Sequence, residues 1–150
     1  MKFSQKCNYA LRVMLDLSTF YHYRRAHIID LAERRDIPAK FLGQILLQLK
    51  KNDLVESKKG PDGGYTLKRP PSEITVGEVI RIMERTFYPE KPGQNGLEKG
   101  GNHGRNGFYG LFSEIDEAIC AVIDHISFED IRKKEAEHHE RNATGYTYTI

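Results

Sequence analysis

Residues 38–67 read PAKFLGQILLQLKKNDLVESKKGPDGGYTL, and a change of period inside them decides the fold. Up to about Asn52, the residues Leu42, Ile45, Leu46 and Leu49 recur three and four apart, which puts one apolar stripe on an α-helix. Pro38 suits the first turn of that helix, where its missing N–H has no partner to lose. Beyond it the pattern alternates: Val55 and Ser57 with Glu56 and Lys58, then Tyr65 and Leu67 with Thr66 and Lys68. Between the two runs lies Gly60-Pro61-Asp62-Gly63-Gly64, a proline to preset one turn position and glycines for positive φ. A helix followed at once by a β-hairpin with a basic, glycine-rich tip is the reading.

Upstream, Ile28, Ile29, Leu31 and Ala32 predict a short helix over 28–35, stopped by Asp36-Ile37-Pro38. Two helices joined by three or four residues make a helix-turn-helix, and the hairpin behind them makes it winged. Before it, Tyr9, Ala10, Val13, Met14, Leu17 and Phe20 or Tyr21 mark a helix over 8–21, broken at His22-Tyr23-Arg24-Arg25. Downstream, Pro70-Pro71 closes the unit, and Thr75-Val76-Gly77-Glu78 is a capping box opening a helix with Val79, Ile80, Ile82 and Met83. Residues 89–110 are irregular: seven of the thirteen glycines fall between Gly93 and Gly110, with a lone His103 among them. A loop that long in a compact domain is functional or disordered. Ser113-Glu114-Ile115-Asp116 is expected to cap the next helix, on which Ile115, Ile119, Val122, Ile123 and Ile126 form an apolar seam. Ser127-Phe128-Glu129-Asp130 starts a short charged helix, and the tail Thr144–Ile150 alternates like a strand without a local partner, to fray or to dock on a neighbour. The expected fold is mainly α with a small β-hairpin wing. It divides into a winged helix-turn-helix at 1–85, a glycine-rich effector loop at 86–111, and a dimerisation helix with C-terminal tail at 112–150.

The chain has 150 residues, which favours one compact domain with a core of its own. Two cysteines, Cys7 and Cys120, make neither a disulfide framework nor a four-thiolate metal site. No apolar run is long enough for a membrane span, and no apolar signal region follows the first charges, so a soluble cytoplasmic protein is expected. Charge is divided unevenly. Residues 1–69 carry 14 Lys and Arg against 7 Asp and Glu, net +7, while residues 70–150 carry 9 against 14, net −5. A basic first half suits a polyanion, and double-stranded DNA is the partner a winged helix-turn-helix implies.

A helix entering the major groove reads base edges with the exposed residues near its N-terminal end. With Leu42, Ile45 and Leu46 turned inward, the outward side presents Lys40, Gly43, Gln44 and Gln48. Gln44 is suited to a bidentate bond with adenine, and Lys40 to guanine or phosphate. The wing offers Lys58 and Lys59 beside Gly63, Gly64 and Tyr65, where bare backbone can approach a phosphate or enter a minor groove. Arg34 and Arg35 add to the same field, with Lys50 and Lys51 behind them. No Ser/His/Asp order, Walker loop or His-Glu-x-x-His motif appears, so no enzyme is expected.

Lys2-Phe3-Ser4, Tyr9-Ala10-Leu11, Ile37-Pro38, Phe41-Leu42, Gln44-Ile45-Leu46, Leu54-Val55 and Gly60-Pro61-Asp62-Gly63-Gly64-Tyr65 together resemble the bacterial IscR-type regulators, the Rrf-two superfamily. The resemblance covers residues 1–85 well and continues loosely to about 131. It implies a winged-helix homodimer on a palindromic operator, with a long helix at about 112–126 crossing onto its twin. Base reading is implied for Lys40, Gly43 and Gln44, with Lys59 near the minor groove. Three departures matter. Many members hold a [2Fe–2S] cluster on three cysteines in the loop after the fourth helix, and residues 86–112 contain none, so no cofactor is expected. Gly43 stands where some relatives have Glu. Asp53 stands where relatives have Gly, with Asn52 available to share its left-handed position.

Control then falls to a regulatory protein, a small-molecule effector between loop and dimer helix, or oxidation of Cys7. Two other readings remain open from the sequence. One is a metal- or redox-sensing regulator with an atypical site at His103 and Cys7, Asn8 being a further donor of the first helix. The other is a protein-interaction module with a vestigial winged helix. Cys120, on or beside the seam, reads as a small core residue, and His138-His139 as a solvated helix end.

Overall fold

The computed structural model describes residues 2–84 and 107–145; the segment with His103 and the tail from residue 146 lie outside the described residues. Helix α1 (Gln5–Phe20) starts three residues earlier than its periodicity suggests, because Ser4 caps it: Ser4 Oγ accepts from the Cys7 backbone N–H at 3.1 Å. Its buried face, Cys7, Ala10, Val13, Met14 and Leu17, forms the centre of the core. Helix α1 touches α2 (Ile28–Arg35), α3 (Ala39–Lys51), α4 (Val76–Met83) and α6 (Phe128–Gly145).

Helix α2 has the predicted bounds, and it ends on Asp36 in the left-handed conformation, φ 51°, a role the sequence reading gave only as a stop. The turn is secured by the Ile37 N–H donating to Ala32 O at 2.9 Å. Pro38 is the N-cap of α3 rather than part of its first turn. Leu42, Ile45, Leu46 and Leu49 are all fully buried, as the periodicity requires. After α3, Asp53 takes the left-handed position alone, φ 58°, while Asn52 stays at φ −101°. Asp costs more there than Gly, and its carboxylate accepts from Lys68 Nζ at 2.5 Å.

Strands β1 (Val55–Lys58) and β2 (Gly64–Leu67) pair antiparallel from Val55–Leu67 to Lys58–Gly64. The other edge of β2 is held too: Ala26 and Tyr65 exchange backbone bonds of 2.9 and 2.8 Å, a single bridge that ties the loop after α1 to the two-stranded wing. A 3₁₀ turn at Pro71–Glu73 leads into α4, whose Thr75–Glu78 capping box forms as expected.

Helix α5 (Gly107–Ile123) corrects one expectation: it starts well before Ser113, which lies inside the helix and caps nothing. Helix α6, also, is 18 residues long rather than short, with Ser127 Oγ accepting from Asp130 N at 3.1 Å. It runs through Gly145, so Thr144 and Gly145 are helical where a strand-like tail was expected. The α5–α6 junction is sewn to the segment before α4. The Val76 N–H donates to Ile126 O at 2.9 Å, the Phe128 N–H donates to Ile74 O at 3.0 Å, and the Phe128 ring is part of the core. Helices α4 and α5 meet without a gap: a Cβ on Gly77 would overlap Asp124 Oδ1, which receives Arg81 Nη1 at 2.5 Å.

Candidate nucleic-acid interface

Four inward residues per three turns leave α3 a continuous outward row. Lys40 and Gln44 are exposed on it, Gly43 is half-buried, and Leu47 is 52 % exposed. Leu47 went unnoticed in the sequence because it reads as one more core leucine; its spacing of three from Gln44 was the available signal. An apolar side chain there can meet a thymine methyl. Gln48 is half-buried, and its side-chain oxygen has no hydrogen-bond partner among the described residues. A Cβ on Gly43 would have only Ile28 Cδ1 near it, at 3.8 Å, so neither packing nor φ demands glycine. The N-terminal end of α3 is fixed to α1 by an edge-to-face contact of Phe41 with Tyr9, centroids 5.7 Å apart.

The wing divides its labour between shape and charge. Lys58 and Lys59 are exposed. Gly63 is buried, and a Cβ on it would lie 2.3 Å from Lys58 O. Gly64 combines φ 116° with a Cβ position 2.7 Å from Ala26 O. Both glycines therefore set the shape of the tip, and Tyr65 is half-buried against the core. Lys50 Nζ donates to Ser57 Oγ at 2.7 Å, joining the last turn of α3 to the wing.

The two arginines of α2 pair within the fold. Arg35 Nε and Nη2 donate to the two oxygens of Asp16 at 2.8 and 2.7 Å, and Arg34 Nη2 reaches the same carboxylate at 3.5 Å. Asp16 is 1 % exposed, and the bond to it holds the Arg35 guanidinium even more firmly protonated than usual. Arg34 and Arg24 also lie over the Phe20 ring, 5.0 and 4.4 Å from its centroid.

The seam on α5 is two-sided. Ile119 and Ile123 pack on the chain's own core, whereas Ile115 and Val122 face out; Ile126, expected on the same helix, lies beyond its end at Ile123, half-buried, with its carbonyl bonded to the Val76 N–H. Phe108 and Leu111, ahead of the expected helix start, and Phe112 at that start extend the exposed ridge, with Phe108 and Phe112 stacked at 6.3 Å. Elsewhere on the surface, Leu11, Leu15, Val76, Phe128 and Ile131 line an apolar hollow of about 200 Å³.

The two thiols sit in different surroundings. Cys7 is fully buried, and desolvation, helped by Glu84, pushes its pKa up to about 12. Cys120 is buried beside Arg81, whose Nη2 lies 3.4 Å from Sγ. No group of three metal-ligating side chains occurs among the described residues, and none of the described helices is long and apolar enough to cross a membrane.

Comparison with known proteins gives a consistent result. Residues 3–134 match the model of the family described as Rrf2, iron-dependent transcriptional regulator. The transcriptional regulator IscR of Xenorhabdus nematophila is 31 % identical over 136 residues, 90 % of this chain and 81 % of that protein. Among solved structures, an IscR from T. potens superposes with a TM-score of 0.76 at 27 % identity, covering 92 % of this chain and 90 % of that one. CymR, the global cysteine regulator of B. subtilis, gives 0.74 at 27 % identity, covering 89 % and 98 %.

Proposed function

This chain belongs to the Rrf2 family of winged-helix transcriptional regulators, and from that premise we propose that it binds a palindromic operator as a cytoplasmic homodimer without a conventional [2Fe–2S] cluster. The row Lys40, Gln44 and Leu47 on α3, flanked by Lys58 and Lys59 on the wing, carries the reading. A base-reading helix and phosphate-reaching lysines are presented together, and the shape-setting glycines hold the wing in place. Arg34 and Arg35 serve in this scheme by fixing α2 to α1 through Asp16.

The exposed ridge Phe108, Leu111, Phe112, Ile115 and Val122 supports a dimer, since a continuous apolar ridge of this kind marks an interaction site. The hollow beside Phe128 offers such a ridge a place to bury. Against a conventional cluster stands the donor set. Cluster iron needs about four ligands, mostly thiolates, and the chain has two cysteines, one in the core and one beside Arg81, with none between residues 86 and 112. The residues present do not fit that group, so regulation falls to a partner protein or a small molecule.

Selection from random duplexes, followed by fluorescence anisotropy across a salt series, tests the proposal. It expects an enriched palindrome with half-sites about one helical turn apart. Lys59→Ala should weaken all sequences alike and lower the salt slope by about one. Gln44→Ala should cost about 1–3 kcal/mol of discrimination at one base position. Equal binding of random duplexes refutes the specific regulator. Iron analysis and visible absorption of anaerobically purified protein check the cluster, and a coloured, iron-containing dimer refutes that part.

A further inference from the structure

A cavity of about 440 Å³ opens where the N-terminal turn of α1, the last turn of α3 and the end of α4 converge. It is the size of small-ligand sites, roughly 300–1,000 Å³, and its lining is sorted by charge. Lys6 comes from α1 and Lys51 from α3, and neither has an ion-pair partner among the described residues. Opposite in sign is Glu84, at the end of α4. Its Oε1 accepts from the Ser4 backbone N–H at 2.7 Å, which orients the carboxylate and leaves Oε2 for a further donor. Gln48 adds the buried side-chain oxygen that lacks a donor. Ile82 and Met83 form an apolar floor.

Asn52 also lines the cavity, its amide donating to the Gln48 backbone carbonyl at 2.8 Å, and two ammonium groups facing a carboxylate beside an apolar strip are the complement of a small zwitterion. We infer that this cavity is an effector site for a free α-amino acid. The carboxylate of the guest lies between Lys6 and Lys51, its ammonium is received by Glu84 and Gln48, and its side chain covers Ile82 and Met83. Charge-assisted bonds at both ends give selectivity over simple carboxylates and simple amines. Because Gln48 and Lys51 belong to the last turn of α3, the guest braces the recognition helix against α1 and α4. The inference rests on the DNA-binding reading for this regulatory consequence, though not for binding itself.

Isothermal titration of the full-length chain with each of the twenty L-amino acids, acetate and succinate is the direct test, and it needs no DNA. At least one amino acid should bind once per chain, and acetate and succinate at least tenfold more weakly. Lys51→Met should lower the affinity at least tenfold. Glu84→Gln, which keeps an oxygen for the Ser4 N–H, should do the same while thermal unfolding shows the variant folded. The bound amino acid should change operator affinity in anisotropy at least threefold. No binding at millimolar concentration overturns the inference, as does binding that both variants leave intact. Lost DNA affinity in Lys51→Met, with no amino acid bound, would assign that lysine to phosphate instead. Failure of DNA binding alone, with amino acid still bound, refutes the operator reading and leaves this site standing.

Discussion

Replacing Asp16 with Asn removes one charge from a pocket that holds a second. The Asp16 side chain is 2 % exposed, and its carboxylate receives two bonds from Arg35 at 2.7 and 2.8 Å and a longer one from Arg34. Breaking a fully buried pair costs about 3–5 kcal/mol, because the partner charge is left desolvated. Here water reaches the cationic side, as Arg35 is 24 % and Arg34 50 % exposed. Part of the loss is recovered by hydration, and about 2–3 kcal/mol remains. In a chain of this size that lowers the melting temperature by about 4–12 °C. Urea unfolding at one fixed protein concentration measures it, since the stability of the proposed dimer would depend on concentration. The cycle with Arg35→Met should show coupling of about 1–3 kcal/mol, the double variant costing less than the two single variants together. Additivity to within about 0.5 kcal/mol refutes the pair as the source of the stability. Arg35→Met should also leave the salt slope of DNA binding unchanged. A slope lower by about one would place its guanidinium on a phosphate.

Three further outcomes are expected. Gly43→Ala should raise stability by about 1 kcal/mol, the helix-propensity difference, because its Cβ would meet nothing closer than Ile28 Cδ1 at 3.8 Å; a lower urea midpoint contradicts this. Gly63→Ala forces a Cβ to 2.3 Å from Lys58 O, so DNA affinity should fall for all sequences while the helical circular dichroism persists; unchanged affinity contradicts the wing's role. The Cys7 thiol, pushed up to about 12, should resist iodoacetamide at pH 8 in the native protein and react quickly in urea. Since the unfolded thiol ionises near about 8.5, its contribution is complete below that pH and is lost as pH rises toward the folded value. Urea midpoints of the native chain and Cys7→Ala should therefore converge between pH 8 and 10, and parallel curves refute it.

Residue periodicity was enough for the parts of the fold that repeat locally. The stripe of Leu42, Ile45, Leu46 and Leu49, the alternation around Gly60–Gly64 and the Thr75–Glu78 cap each depend on neighbours a few positions away. The start of α5 was hidden because Gly107 and Gly110 look like loop residues. Yet Phe108, Leu111, Phe112 and Ile115 carry helical spacing across them, and the Ser113 pattern then mimics a cap. At the candidate site, Lys40 and Gln44 follow from which face of α3 is apolar. Arg35 does not, because its partner is 19 residues away. A signal existed: Asp16 interrupts the apolar stripe of α1 next to Leu17, and a carboxylate there demands a cation from another element. His103 and the tail from residue 146 fall outside the described residues.

Phe128 fills the base of the winged module from a position more than 40 residues after that module ends in sequence, and Val76 and Ile74 hold the incoming chain by backbone bonds to Ile126 and to Phe128 itself. The winged module and the helices after it are thus one folding unit that cannot be inherited in pieces. A gene fusion or truncation cut at residue 85 leaves a ring-sized hole under α1, and a hybrid made by exchanging those helices must bring a phenylalanine back to that hole. Recombination between relatives should therefore preserve the whole span from α1 to the start of α6, and new specificities should arise by point changes on α3 and the wing.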